Sequence, residues 1–177
     1  MSETMGVVVE VWPLAADEIG IWLLSGPEPW RTAPIPADSE PHAEVDLLLF
    51  ANGMTDPALL HSTSWRPDGP HIVLTYMAVQ HTPGLAREGW PGALPVSEDL
   101  LPAVGNPTPH GAAEVPVPRH VDVLHHGLRH LAMLLDTDSG ARDGLTGHWP
   151  GWLQRMRPAL AGMYEAGERP VDIPRRV

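Results

Sequence analysis

The chain contains no cysteine, no lysine, a single phenylalanine and two tyrosines. Without cysteine there is no disulfide framework, no thiolate metal site and no cysteine nucleophile. Without lysine there is no Schiff-base chemistry and no lysine to hold a phosphate loop. All eleven basic residues are arginine, a bias that a GC-rich genome produces. Long apolar runs are missing as well, since nothing approaches the roughly 20 residues that cross a bilayer. Met1-Ser2-Glu3-Thr4 is acidic where a secretory signal is basic, so a cytoplasmic location is expected. The formal net charge is −11, which repels phosphate backbones and anionic lipid surfaces. Neither nucleic acid nor membrane is therefore an expected partner.

The 177 residues suit one domain, and a domain of this size buries roughly two thirds of its unfolded surface without help from a metal. Val7-Val8-Val9-Glu10-Val11-Trp12 is rich in β-branched residues and predicts a strand that ends before Pro13. Ile19 to Leu24 predicts a second strand. Ser39, followed by Glu40 and Pro41, predicts a helix start, and Asn52-Gly53 its stop. Leu59–Trp65 and Ile72–Gln80 predict a hairpin joined by Arg66-Pro67-Asp68-Gly69-Pro70, whose residues suit a tight turn. Residues 82–118 are rich in proline and glycine and predict a long loop, with only Ser97–Leu101 resembling a short capped helix. Beyond it Val121, Leu124, Leu128, Leu131 and Leu135 recur at helical spacing. A last helix from about Trp149, carrying Trp152, Leu153, Met156, Leu160 and Met163, should kink at Pro158. These elements define an α+β domain over residues 1–166 with a loose tail over 167–177.

The order strand, strand, loop, helix, hairpin, carboxy-terminal helices resembles the Nudix fold over roughly residues 6 to 80. The family's box reads G-x5-E-x7-R-E-U-x-E-E-x-G-U, where U is bulky and apolar, and its glutamates hold Mg²⁺ against a diphosphate. Counting back from Gly53-Met54, the first box glycine falls on Thr32, the first glutamate on Asp38 and the Arg-Glu pair on Asp46 and Leu47. Leu48 takes the apolar position, and the paired glutamates fall on Phe50 and Ala51. Mg²⁺ needs oxygen ligands, which leucine, phenylalanine and alanine lack, so the family's usual hydrolysis is not expected. Glu40, Glu44, Leu47 and Ala51 share one helical face, which displaces the acids toward the amino terminus beside Asp38. Acids in a first helical turn are ordinary dipole features.

Two other groups of residues carry chemistry. Asp122, His126 and His130 are spaced by four, so they stack on one helix face in the arrangement by which two histidines share a metal. No third ligand is evident unless His148 or His110 folds near, and no metal site or cofactor is expected. Among seven tryptophans, Trp12, Trp22 and Trp65 sit in predicted strands, where core packing is their usual role. Trp30 beside Arg31, and Trp90 near Arg87, lie in loops, where a ring can stack a base and an arginine can pair a phosphate. Alternation would put His61 and Thr63 on one strand face and Ser62 and Ser64 on the other, which excludes a serine hydrolase built on His61.

The expected function is thus a Nudix-like domain that binds or regulates without catalysis, taking a small nucleotide-like or phosphorylated ligand. Its expected binding residues are Trp30, Arg31, Asp38, Glu44 and Trp90, between the box-like helix and the long loop. Two alternatives stand beside it. One is a divergent metal-dependent hydrolase of diphosphate-linked substrates. The other is a structural subunit that buries the Leu47, Phe50 and Ala51 surface against a second copy in a homodimer. The face carrying Leu47 and Ala51 is in any case expected to be buried, in the domain core or in a self-association interface.

Overall fold

Strand β1 (Gly6–Ala16) is the axis of the sheet, and it does not stop at Pro13. The carbonyl of Pro13 accepts from the backbone N–H of Leu24 at 2.8 Å, so the proline's missing N–H falls on that same flank. The opposite flank, which forms the continuous parallel ladder with the hairpin, loses no donor. The computed structural model describes residues 6–96 and 118–158. The predicted helix at Ser97–Leu101, the residues Leu160 and Met163, and the tail over 167–177 lie outside the described residues.

After β1 come β2 (Ile21–Leu23), β3 (Trp30–Arg31), β4 (Ile35–Pro36), helix α1 (Pro41–Ala51) and the hairpin β5 (Leu59–Asp68) and β6 (His71–Val79). Two short elements, α2 (Ala86–Gly89) and β7 (Leu94–Pro95), interrupt what the sequence presents as loop. Helices α3 (His120–Thr137), α4 (Ser139–Gly144) and α5 (Trp149–Leu153) complete the described chain. The strands form one mixed seven-stranded sheet in the order β5-β6-β1-β2-β7, with β3 and β4 also paired to β1. β1 and β6 run parallel from Val7↔Ile72 to Leu14↔Val79, whereas β5 and β6 are antiparallel. Asp68 opposes His71, which leaves Gly69-Pro70 as a two-residue turn, shorter than the predicted five. Gly69 supplies the positive φ of 58° that this turn demands.

Helices cover both faces of the sheet. On one face, Val9, Val11, Tyr76 and Ala78 pack with Val45 and Leu49 of α1. On the other, Trp12, Leu14, Met77 and Val79 pack with Leu124, Leu128 and Leu131 of α3 and with Trp149 and Leu153 of α5. Gly127 lets α3 settle on the sheet, because a Cβ there would stand 1.7 Å from the methyl of Met77. No helix among the described residues is long and apolar enough to cross a membrane.

Helix α1 begins one residue after the predicted cap: Glu40, not Ser39, takes the N-cap and accepts from the His42 N–H. It ends at Asn52, with Gly53 at φ +83°, as the Asn-Gly pair predicts. Of the two expected ways of burying Leu47 and Ala51, the one in the domain core is overturned. Val45 and Leu49, four residues apart, take the stripe facing the sheet, and Leu47 lies about 200° around the helix from both. Leu47 is 64% exposed and Phe50 72% exposed. The expected core role of Trp65 also fails. A bulge between Ser62 and Ser64 shifts the alternation by one, so Ser64 and Arg66 join His61 on the α3 face. Trp65 turns to the α1 face at the sheet edge, where it is 69% exposed. The last helix among the described residues is only five residues long and closes before Pro158, so no proline kink arises within it.

Candidate functional site

A groove of about 390 Å³ opens where the chain leaves α1 and the 81–90 segment passes over the end of β6. Each wall has a local cause. At the α1 end, the positive φ of Gly53 returns the chain so that Met54 donates to the Leu49 carbonyl at 3.0 Å. Met54 is buried, and the next residues, Thr55 and Asp56, are left at the rim. The opposite wall is fixed by Asp17, which is 2% exposed. One carboxylate oxygen accepts from the N–H groups of Ile19 and Gly20, and the other from the N–H of Ala86 at 2.9 Å. Burial opposes ionisation of Asp17, but the Ala86 N–H, the Trp22 side chain and the N–H groups of Ile19 and Gly20 outweigh it and hold its carboxyl below the ordinary value. The first residue of α2 is thereby pinned to the β1–β2 corner. Trp90 follows as the α2 cap, donating its N–H to Ala86 at 2.9 Å.

Trp90 lines the groove and is backed by Trp30, with ring centroids 6.0 Å apart and planes tilted by 40°. Two expected binding residues thus meet although sixty positions separate them. Gln80, His81 and Thr82 supply polar groups along the groove, while Asp56 and Glu88 supply its charge. A site of this kind can hold a flat ring against Trp90 and satisfy hydrogen bonds from Gln80, Thr55 and Thr82.

The other expected residues lie elsewhere. Adjacent strand residues face opposite ways, so Arg31 leaves Trp30 and turns to the α3 side of the sheet. There it pairs with Asp68 at 2.8 Å and approaches Glu10 at 3.6 Å. Glu10 has no exposure, receives the Trp12 indole N–H at 2.9 Å and pairs with Arg66 at 2.6 Å. Arg66 also donates to the Thr75 hydroxyl at 2.9 Å. The hydrogen bond from Arg31 holds the Asp68 carboxyl below its ordinary value. Arg31 therefore lies at the exposed margin of an ion network centred on the buried Glu10, which composition and motif reading missed. The available signal was Glu10, a lone charge inside the apolar run Val7–Trp12. Asp38 is exposed ahead of α1 and Glu44 is half-buried on it; neither lines the groove beside Trp90.

In the Asp122, His126, His130 stripe the two outer residues are engaged in separate contacts. Asp122 accepts from the Arg119 side chain at 2.9 and 2.8 Å and from its backbone at 3.1 Å, closing the start of α3. His130 is 7% exposed and meets His61 of β5, Nε2 to Nε2, at 3.0 Å with the rings stacked. Burial and then the facing His61 push the His130 imidazole down to about 4. Burial also lowers His61, against the pull of Asp138. His148, the candidate third ligand, is exposed beside Asp17 and Glu18, and His110 lies outside the described residues. Among the described residues no group of three or more histidines and carboxylates is arranged to hold a metal.

Comparison of the chain with family models, with curated proteins and with solved structures returned no match.

Proposed function

We propose that this chain is a non-catalytic, Nudix-like ligand-binding domain, and that its ligand lies against Trp90 in the groove between the end of α1 and the 81–90 segment. The observation that carries the reading is the groove itself. It joins the end of the box-like helix to the loop tryptophans, with Trp30 braced behind Trp90. Leu47, Phe50 and Ala51 at the box positions support the non-catalytic part, since none has an oxygen to offer Mg²⁺.

The groove also narrows the ligand. Among the described residues Asp56 and Glu88 line it and no arginine does, so a ring-bearing compound that is neutral, or positively charged, suits it better than a phosphorylated one. A nucleobase or nucleoside meets that description. Incubation with nucleoside diphosphate-linked compounds in Mg²⁺ or Mn²⁺ tests the non-catalytic part. No turnover is expected, and metal-dependent turnover on the order of 1 s⁻¹ would return the chain to the hydrolases.

A further inference from the structure

Helix α1 carries an apolar strip that the other described residues leave exposed. Ala43, Leu47 and Phe50 follow one another at spacings of four and three, and with Asp46, Thr55 and Pro57 they line an open groove of about 690 Å³. Leu47 and Phe50 are among the most exposed large apolar side chains of the described residues, at 64% and 72%. Exposed apolar side chains grouped on one helix face mark an interaction surface more often than isolated ones do.

The charge around the strip says what fits it. From residue 32 to residue 65 the sequence holds five carboxylates (Asp38, Glu40, Glu44, Asp46 and Asp56) and no arginine or lysine. Asp46 stands on the groove itself, and α1 has no basic side chain in its last turn to offset it. A second copy of this chain would bring the same acids, and a further net charge of −11, against them. Like charges set face to face suppress that pairing, while a positively charged partner is steered in.

We propose that the exposed α1 face docks a basic amphipathic segment of another protein, its apolar side chains seated on Leu47 and Phe50 and its Lys or Arg side chains against Asp46 and the neighbouring carboxylates. This is helix-in-groove recognition, in which apolar anchors give affinity and the charged rim gives selectivity.

The test uses fluorescence anisotropy of two labelled peptides, each an amphipathic helix of about five turns with the same leucine and phenylalanine face. One carries lysine and arginine on its polar face, the other glutamate and aspartate. The full chain should bind the basic peptide and not the acidic one. Raising salt from about 50 to about 300 mM should weaken binding severalfold, because it shortens the range over which the carboxylates act. Leu47→Ser with Phe50→Ser should weaken it at least about tenfold, the equivalent of losing about 1.4 kcal/mol. Asp46→Asn, which leaves the apolar strip in place, should weaken it in low salt only. Trp90→Ala should leave peptide binding unchanged, separating this surface from the ligand groove. Equal binding of both peptides would overturn the proposal, as would a Leu47→Ser, Phe50→Ser variant that binds like the parent. A parent that sediments as a dimer while that variant sediments as a monomer would also overturn it, in favour of self-association.

Discussion

Replacing Glu10 by glutamine removes one negative charge from the centre of the α3-side ion network and changes almost nothing in shape. Glu10 is fully buried, Arg66 reaches it at 2.6 Å with 15% of its side chain exposed, and Arg31 stands at 3.6 Å with 35% exposed. Removing one partner of a buried pair costs about 3–5 kcal/mol, because the remaining charge stays out of water. Arg66 keeps some solvent contact, and glutamine can still accept the Trp12 indole N–H, so the lower end, about 3 kcal/mol, is the expected loss. For a domain of this size that lowers Tm by roughly 6–12 °C. Thermal melts followed by circular dichroism at neutral pH read the shift. Arg66→Met placed on Glu10→Gln should recover part of the loss, because it removes the stranded cation. Arg31→Met alone should cost no more than about 1 kcal/mol, since Arg31 and Asp68 meet at the surface. A Glu10→Gln protein melting within about 2 °C of the parent, against the shift expected for this size, would refute the reasoning. So would Arg31→Met proving costlier than Arg66→Met.

Other expectations follow from the same packing. Because His130 is held near 4 against an ordinary 6.5, the unfolded chain takes up its proton first as pH falls. Stability from this group is therefore complete above pH 6.5 and is lost progressively as pH falls toward 4, by about 1.4 kcal/mol per unit of difference. Chemical denaturation across that window should show a shallower loss for His130→Leu than for the parent; parallel curves would contradict it. Leu47→Glu should melt within a degree or two of the parent, since Leu47 is 64% exposed, while Leu49→Ala, at a site 2% exposed, should cost about 2–5 kcal/mol. Gly144→Ala should destabilise by about 1–3 kcal/mol, because the new methyl would stand 2.4 Å from the Ala58 carbonyl oxygen. Gly151→Ala, which meets nothing within 4 Å, should not, and equal effects at the two glycines would count against the packing described.

What the sequence made legible was local. Ser39 with Glu40-Pro41 behind it, and Asn52-Gly53 at the end, bracket α1 to within a residue, because both signals act through backbone conformations that need no distant partner. The hairpin and the apolar period of α3 are equally self-contained. The misses at the cap of α1 and in the length of the hairpin turn are small, and the larger ones depend on strand pairing and distant contacts. One inserted residue in β5 reverses the facing of Trp65 and Arg66, and no residue type around Ser62-Thr63-Ser64 announces a bulge. The His61–His130 contact joins positions 69 apart, so helical spacing could suggest only His126 as the partner of His130. Pro13 was read as a strand end, whereas its position between two pairing partners on one flank of β1 makes its missing donor harmless. At the candidate site, Trp30 and Trp90 were recognisable as unusual loop aromatics. Their meeting depends on Asp17 holding Ala86, a buried contact that nothing in the Asp17-Glu18 stretch distinguishes from a surface turn.

The binding claim is tested most directly by thermal melts of the parent and of Trp90→Ala against a panel of nucleobases, nucleosides and their phosphates. A compound present at about 100 times its Kd adds about 2.7 kcal/mol to the folded state. In a domain of this size that raises Tm by roughly 5–10 °C. The account predicts such a shift for an unphosphorylated ring compound with the parent, and its loss in Trp90→Ala, whose half-exposed ring supplies the stacking surface. A panel that leaves the parent unmoved, or a shift that survives unchanged in Trp90→Ala, would contradict it.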